Sequence, residues 1–215
     1  TIGGSTSSLV EMIRGIDYEF VGTNFRMNAL QAALGKSQLG RLDSFNAERG
    51  KVAEQYRAGL KGAPLQGMRI DSEVRAVYNR YPALLSDQAG LSRDAFLAAL
   101  IAEGVPAGVY YPMPFNSTSV IKCRSGISGS RFPFDCGHDL DKNYDRSFSG
   151  AERACEQHVL LPCYPGLKEQ DVRDVIAACE KVLEMSVTHA SEIEAAALSA
   201  RANYFGQFFS SEQPC

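Results

Sequence analysis

The chain has 215 residues, 45% of them hydrophobic and 22% charged, with a formal net charge of −3. That is enough for one or one and a half soluble domains with a core of useful size. Lys and Arg number 22 against 25 Asp and Glu, so no basic field exists to hold nucleic acid or an anionic membrane, and a small-molecule partner is expected.

No apolar run reaches the length of a membrane span, and Thr1-Ile2-Gly3-Gly4-Ser5 carries neither the basic flank nor the apolar segment of a secretion signal. The chain therefore reads as cytoplasmic, and the absence of an initiating Met is what a piece of a longer protein would show. Six cysteines (Cys123, Cys136, Cys155, Cys163, Cys179 and Cys215) form no Cys-x-x-Cys pair. With only His138, His158 and His189 beside them, no metal site is predicted and reduced thiols are expected.

In chain order, Leu9 to Arg14 could be the last turns of a helix, closed by Gly15. Gly22-Thr23-Asn24-Phe25-Arg26-Met27-Asn28 then leads into the alanine-rich stretch Ala29 to Gly35. A glycine free to turn, an amide donor in Asn24, a guanidinium in Arg26 and a helix N-terminus suit a phosphorylated ligand. An ordinary helix entry capped by Asn24 or Asn28 explains the same residues. Leu39, Leu42, Phe45, Val52, Tyr56 and Leu60 keep helical spacing, so Met27 to about Leu60 reads as two helices or one bent one, ended by Lys61-Gly62-Ala63-Pro64. Gly35, Gly40 and Gly50 inside it suggest close packing against another element.

Val77 to Leu85 is rich in strand formers, but Pro82 lacks an N–H and places the strand at a sheet edge. Ser92 caps a helix whose apolar face is Phe96, Leu97, Leu100 and Ile101 and which Gly104 ends. A short strand Gly108-Val109-Tyr110-Tyr111 follows. Asn116 to Gly150 reads as a long polar loop of the kind that serves as a lid. A helix around Ala151 to Glu156, a strand His158-Val159-Leu160-Leu161, and an amphipathic helix through Val172, Val175, Ile176, Cys179, Val182 and Leu183 complete the body. The remainder is alanine-rich and ends in Tyr204-Phe205-Gly206-Gln207-Phe208-Phe209, which could dock on the body or on a partner.

Gly-x-Asn-x-Arg-Met-x-x-x-Gln-Ala-Ala-x-Gly-x-x-Gln-Leu, from Gly22 to Leu39, closely resembles the DegT/DnrJ/StrS-type aminotransferases, pyridoxal-phosphate enzymes that aminate keto sugars and keto cyclitols. Ser92 to Val105, Val109-Tyr110-Tyr111-Pro112-Met113-Pro114-Phe115-Asn116 and Leu160-Leu161-Pro162-Cys163-Tyr164-Pro165-Gly166-Leu167 are similar to segments of the same family in the same order. The resemblance runs from about Ile13 to Leu183.

The resemblance implies a fold-type I homodimer with active sites at the subunit interface, where Asn24 reaches the cofactor phosphate of the neighbouring subunit and Arg26 is a second candidate, a guanidinium beside a helix start being as often a structural ion-pair partner as a ligand contact. It places Tyr110 and Tyr111 on the substrate side; strand alternation with one ring in and one out is the competing reading. Asn116 stands where many nucleotide-sugar members carry His. The family's cofactor-bonding lysine and most of its phosphate cradle precede the Asn motif, so the large cofactor domain is expected to be missing. No residue of this chain is assigned as catalytic, and Lys36, Lys51, Lys61, Lys122 and Lys142 read as solvated.

The expected architecture is α+β: a small antiparallel sheet flanked by helices, preceded by a long helical stretch. Residues 1–62 are interface and linker helices, 63–186 the small domain and 187–215 an extra tail. The implied function is that of the carboxyl-terminal portion of an aminotransferase acting on a keto sugar or keto cyclitol with glutamate or glutamine as donor, inactive alone. A non-catalytic dimerisation module and a dehydratase relative are the alternatives.

Overall fold

The computed structural model describes residues 27–124, 126, 131–134 and 146–208, with side chains as far as residue 199. Helix α1 (Ala29–Leu39) starts at Asn28. The Asn28 side chain accepts the Gln31 N–H at 2.9 Å, and the Gln31 side chain accepts the Asn28 N–H at 3.0 Å, a reciprocal cap that satisfies two otherwise orphaned donors. Of the two caps the sequence allowed, Asn28 is the one used; Asn24 lies outside the described residues.

The chain breaks at Gly40 and resumes as α2 (Leu42–Gly59), so the two-helix alternative holds. Helix α2 buries Val52, Ala53 and Tyr56, whereas α1 buries nothing and leaves Leu30 83%, Leu34 63% and Leu39 68% exposed. Gly35 and Gly50 have open space where a Cβ would stand, so the close packing inferred for them is not found. The close approach is made by Gly59, whose Cβ would lie 2.6 Å from Ile176 Cδ1.

Strands β1 (Leu65–Gly67), β2 (Tyr81–Leu85) and β3 (His158–Leu161) form an antiparallel sheet in the order β1-β2-β3. Alternation sends Leu65, Tyr81, Ala83, Leu85, Val159 and Leu161 to one buried face. Helices α2, α3 (Arg93–Ala102) and α6 (Glu169–Phe208) cover that face with Tyr56, Phe96, Leu97, Leu100, Val172 and Cys179. Each such side chain contributes roughly 1.5–3 kcal/mol through burial if it is a large aliphatic or aromatic group. The Tyr56 hydroxyl donates to the Pro162 carbonyl at 3.0 Å, giving its polar tip a partner inside the core.

Pro82 is not at an edge; β2 is the central strand. Opposite Pro82 stands Leu160, whose N–H and C=O both bond Gly108, at 2.8 and 3.0 Å. Leu160 therefore turns its backbone groups away from β2, and the pair it makes with Pro82 needs no hydrogen bond. On the other side β1 has already ended, its last pair being Gly67 with Ala83. A residue without an N–H costs the ladder nothing there.

The strand expected over Gly108 to Tyr111 shrinks to the single bridge between Gly108 and Leu160. The expected loop from Asn116 contains a short helix α4 (Ser119–Lys122) with Val120 and Ile121 buried, and Thr118, just before it, is 1% exposed. Helix α5 (Ser149–Gln157) leads directly into β3. Cys123 is disulfide-bonded, against the expectation of reduced thiols throughout, while Cys155, Cys163 and Cys179 are free.

Helix α6 bends at His189 (φ −123°, ψ 20°) and continues. Beyond the bend Ala190, Ile193 and Ala197 lie against the core. The Glu194 carboxylate accepts hydrogen bonds from the backbone N–H and the hydroxyl of Ser92, whose oxygen in turn accepts the Ala95 N–H at 3.2 Å and caps α3. The stretch to residue 199 thus docks on the chain's own body.

Burial pushes the Cys179 thiol from its ordinary 9.0 up to about 12. The folded state keeps this proton through a pH range in which the unfolded chain releases it, so stability falls as pH rises between 9.0 and about 12. Urea unfolding across that range should show a decline that is shallower in Cys179→Val.

Candidate functional site

Four segments meet at the junction of α5 and β3. His158 ends the helix and opens the strand. Its Nδ1 lies 3.1 Å from the Ala154 carbonyl, and its Nε2 lies 3.3 Å from the backbone nitrogens of both Tyr110 and Tyr111. A carbonyl can only accept and amide N–H groups only donate, so Nδ1 carries the proton and Nε2 offers its lone pair. This is the neutral imidazole. Burial depresses the His158 pKa, and the nearby Arg93 guanidinium works in the same direction; the Ala154 and Cys155 carbonyls oppose them without reversing the shift.

His158 also explains the missing strand. The N–H groups of Tyr110 and Tyr111, which would have extended the ladder past Gly108, go to the imidazole instead. The chain turns, and the two tyrosine rings meet edge to face, with centroids 4.8 Å apart and planes at 85°. No strand forms there, yet the two rings are unequally covered, as the one-in, one-out alternative had it. Tyr110 is half-buried beneath the Arg80 guanidinium, 5.2 Å from its ring centroid, while Tyr111 is 51% exposed. An arginine over one ring and an open face on the next make a surface suited to a flat or hydroxylated ligand that bears negative charge.

Arg93 fixes this junction from below. With its side chain only 11% exposed, it donates through Nε to Asp94 at 2.6 Å and through Nη1 to the Cys155 carbonyl at 2.8 Å. It ties the start of α3 to the end of α5. Burial raises the Cys155 thiol pKa, with Arg93 only partly countering it.

Asn116 sits on the turn Phe115–Ser117 and donates to the Arg146 carbonyl at 3.3 Å, joining that turn to the segment entering α5. Asn24 and Arg26 lie outside the described residues. Lys36, Lys51, Lys61, Lys122, Lys168 and Lys181 are all exposed, so the described residues do not furnish the sheltered amine that pyridoxal phosphate requires. Among them no His, Cys, Asp and Glu group is placed to hold a metal ion, and no helix is long and apolar enough to cross a membrane.

His158 and Arg80 are the members of this site that the sequence reading missed. His158 was seen only as the first residue of a strand, and neither carries a local motif that would announce a partner some 48 or 30 residues away.

Residues 5–135 match the DegT/DnrJ/EryC1/StrS aminotransferase family. Among solved structures, the aminotransferase TlmJ from Streptoalloteichus hindustanus is similar at 26% identity and a TM-score of 0.56, covering 75% of this chain and 38% of its own. Helicobacter pylori PseC, an aminotransferase involved in the biosynthesis of pseudoaminic acid, gives 22% identity and a TM-score of 0.59 over 76% of this chain and 39% of its own. Spr1654 of Streptococcus pneumoniae in its PLP form gives 21% and 0.59, covering 76% and 37%. The chain thus spans well under half the length of the structures it resembles.

Replacing Arg93 by Leu removes its charged hydrogen bonds to the Cys155 carbonyl and to Asp94 and should lower stability by about 2 kcal/mol in urea unfolding.

Proposed function

Because the chain belongs to the DegT/DnrJ/EryC1/StrS aminotransferase family, we propose that it forms the carboxyl-terminal portion of a pyridoxal-phosphate-dependent enzyme that aminates a keto sugar, nucleotide-linked, or a keto cyclitol, with glutamate or glutamine as donor. The observation that carries this is the family match over residues 5–135, which takes in the Gly22 to Leu39 motif and the Tyr-Tyr-Pro segment together. The cofactor, when bound to the complete enzyme, supplies the electron sink for amino transfer. This chain's part in that reading is recognition: Asn24 and Arg26 toward the cofactor phosphate, and Tyr110, Tyr111 and Asn116 along the substrate. The chemistry itself belongs to residues outside the described set, since every described lysine is exposed.

Tyr111 carries the weight on the substrate side, being the open member of the pair. A phenol can stack on a sugar or base and hydrogen-bond a hydroxyl, and Arg80 supplies positive charge behind Tyr110. In a titration of the full chain with UDP-glucose followed by amide NMR, Tyr111 and Asn116 should shift saturably, and Tyr111→Ala should weaken binding about tenfold. No shift at either residue sinks the substrate assignment. After incubation with pyridoxal phosphate and borohydride, mass spectrometry should find no stoichiometric phosphopyridoxyl group on any single lysine; such a group would contradict the proposed inactivity of the chain alone.

The family reading also includes a homodimer, and α1 supports it. Leu30, Leu34 and Leu39 are largely exposed on a helix with no buried residue, apolar surface that water disfavours. Sedimentation of the chain should show self-association that Leu34→Glu abolishes while the circular dichroism of the body is unchanged.

A further inference from the structure

We propose that His158 is a positioning residue that sets the conformation of the Tyr110-Tyr111 segment, and that it does so only while its Nε2 is unprotonated. The proposal deepens the reading of those tyrosines as a substrate wall and rests on it for its functional meaning.

The geometry is unusual in one respect. A single imidazole nitrogen accepts from two consecutive backbone N–H groups, at 3.3 Å each, while the other ring nitrogen is anchored on Ala154 at 3.1 Å. Consecutive amides that converge on one acceptor define a turn, and here the acceptor is a side chain from a strand 48 residues later in sequence. Nothing else holds the segment to the sheet after the Gly108 bridge among the described backbone hydrogen bonds. The edge-to-face contact of the two rings and the placing of Tyr110 under Arg80 follow from that turn.

Adding a proton to Nε2 turns the acceptor into a donor that faces two donors. The segment must then leave the ring or the ring must leave the segment. The groups around it set the threshold. Arg93 lies on the α3 side, with its charge partly answered by Asp94 at 2.6 Å, and Arg80 lies above Tyr110. The Cys155 thiol is neutral, its pKa raised by burial. On β2, the residue opposite His158 is the aliphatic Leu84. The carbonyl end of α5 favours a cation, but burial and Arg93 outweigh it and hold the imidazole neutral to lower pH than usual. The wall is therefore in place at neutral pH and released below the ordinary histidine range.

The test uses the full chain, labelled with nitrogen-15. Long-range imidazole spectra at pH 7 should show His158 as the Nδ1–H tautomer. Protection of the Tyr110 and Tyr111 amides against hydrogen exchange, taken relative to the intrinsic rate at each pH, should fall about tenfold or more in His158→Leu at pH 7, and should fall in the parent chain as the pH drops below the ordinary histidine range. His158→Gln, whose amide can both accept and donate but does not titrate, should keep the amides protected and make that protection independent of pH. A protonated Nε2 at pH 7, or unchanged exchange in His158→Leu when its circular dichroism shows a folded chain, overturns the proposal. UDP-glucose titration separates this from the substrate reading. If His158→Leu loses amide protection and UDP-glucose affinity falls with it, both stand. If the amides respond to His158 as expected while the parent chain never binds UDP-glucose, the positioning role stands and the substrate reading falls.

Discussion

Leu160 directs both of its backbone hydrogen-bonding groups outward to Gly108, and much of the structure follows from that one orientation. It leaves Pro82, across the ladder, opposite a residue that asks nothing of it, so proline can occupy the central strand. It also draws the chain after Val105 back onto the sheet at Gly108, delivering the next residues to the end of α5. Were Leu160 facing β2 instead, the pairing would slip by one residue, and Val159 and Leu161 would exchange the core for solvent.

The core and the site are joined through this strand. Val159 and Leu161 are buried on the face that α3 covers, whereas His158 and Leu160 point to the other face or to the edge. The apolar half of β3 supplies stability, and its polar first residue organises the tyrosines. Arg93 links the two by bonding α3, a core helix, to the last turn of α5. Rigid packing beneath and a turn held by hydrogen bonds above is the arrangement that keeps binding residues in place without burying them.

The end of α6 shows the same economy of contacts. Ser92 caps α3 with its oxygen and donates its hydroxyl proton to Glu194, which also accepts the Ser92 N–H. A region outside the family resemblance is thereby fastened to the first turn of a helix inside it. The bend at His189 lets Ile193 and Ala197 reach the core after Val172 to Val182 have packed in a straight run.

Local patterns in the sequence were enough for the longer helices of the body, the Ser92 cap, the strand His158 to Leu161 and the family itself, because periodicity, capping residues and a contiguous motif are all properties of neighbours along the chain. Tyr110, Tyr111 and Asn116 were legible as candidates for the same reason. Tertiary structure alone decided that Pro82 is central, that Gly59 rather than Gly35 or Gly50 makes the close approach, and that Gly108 to Tyr111 forms a bridge and a turn instead of a strand. It alone revealed His158 and Arg80 as the tyrosines' partners. Each of these depends on which backbone or side-chain group a distant segment presents, and residue spacing carries no record of that choice.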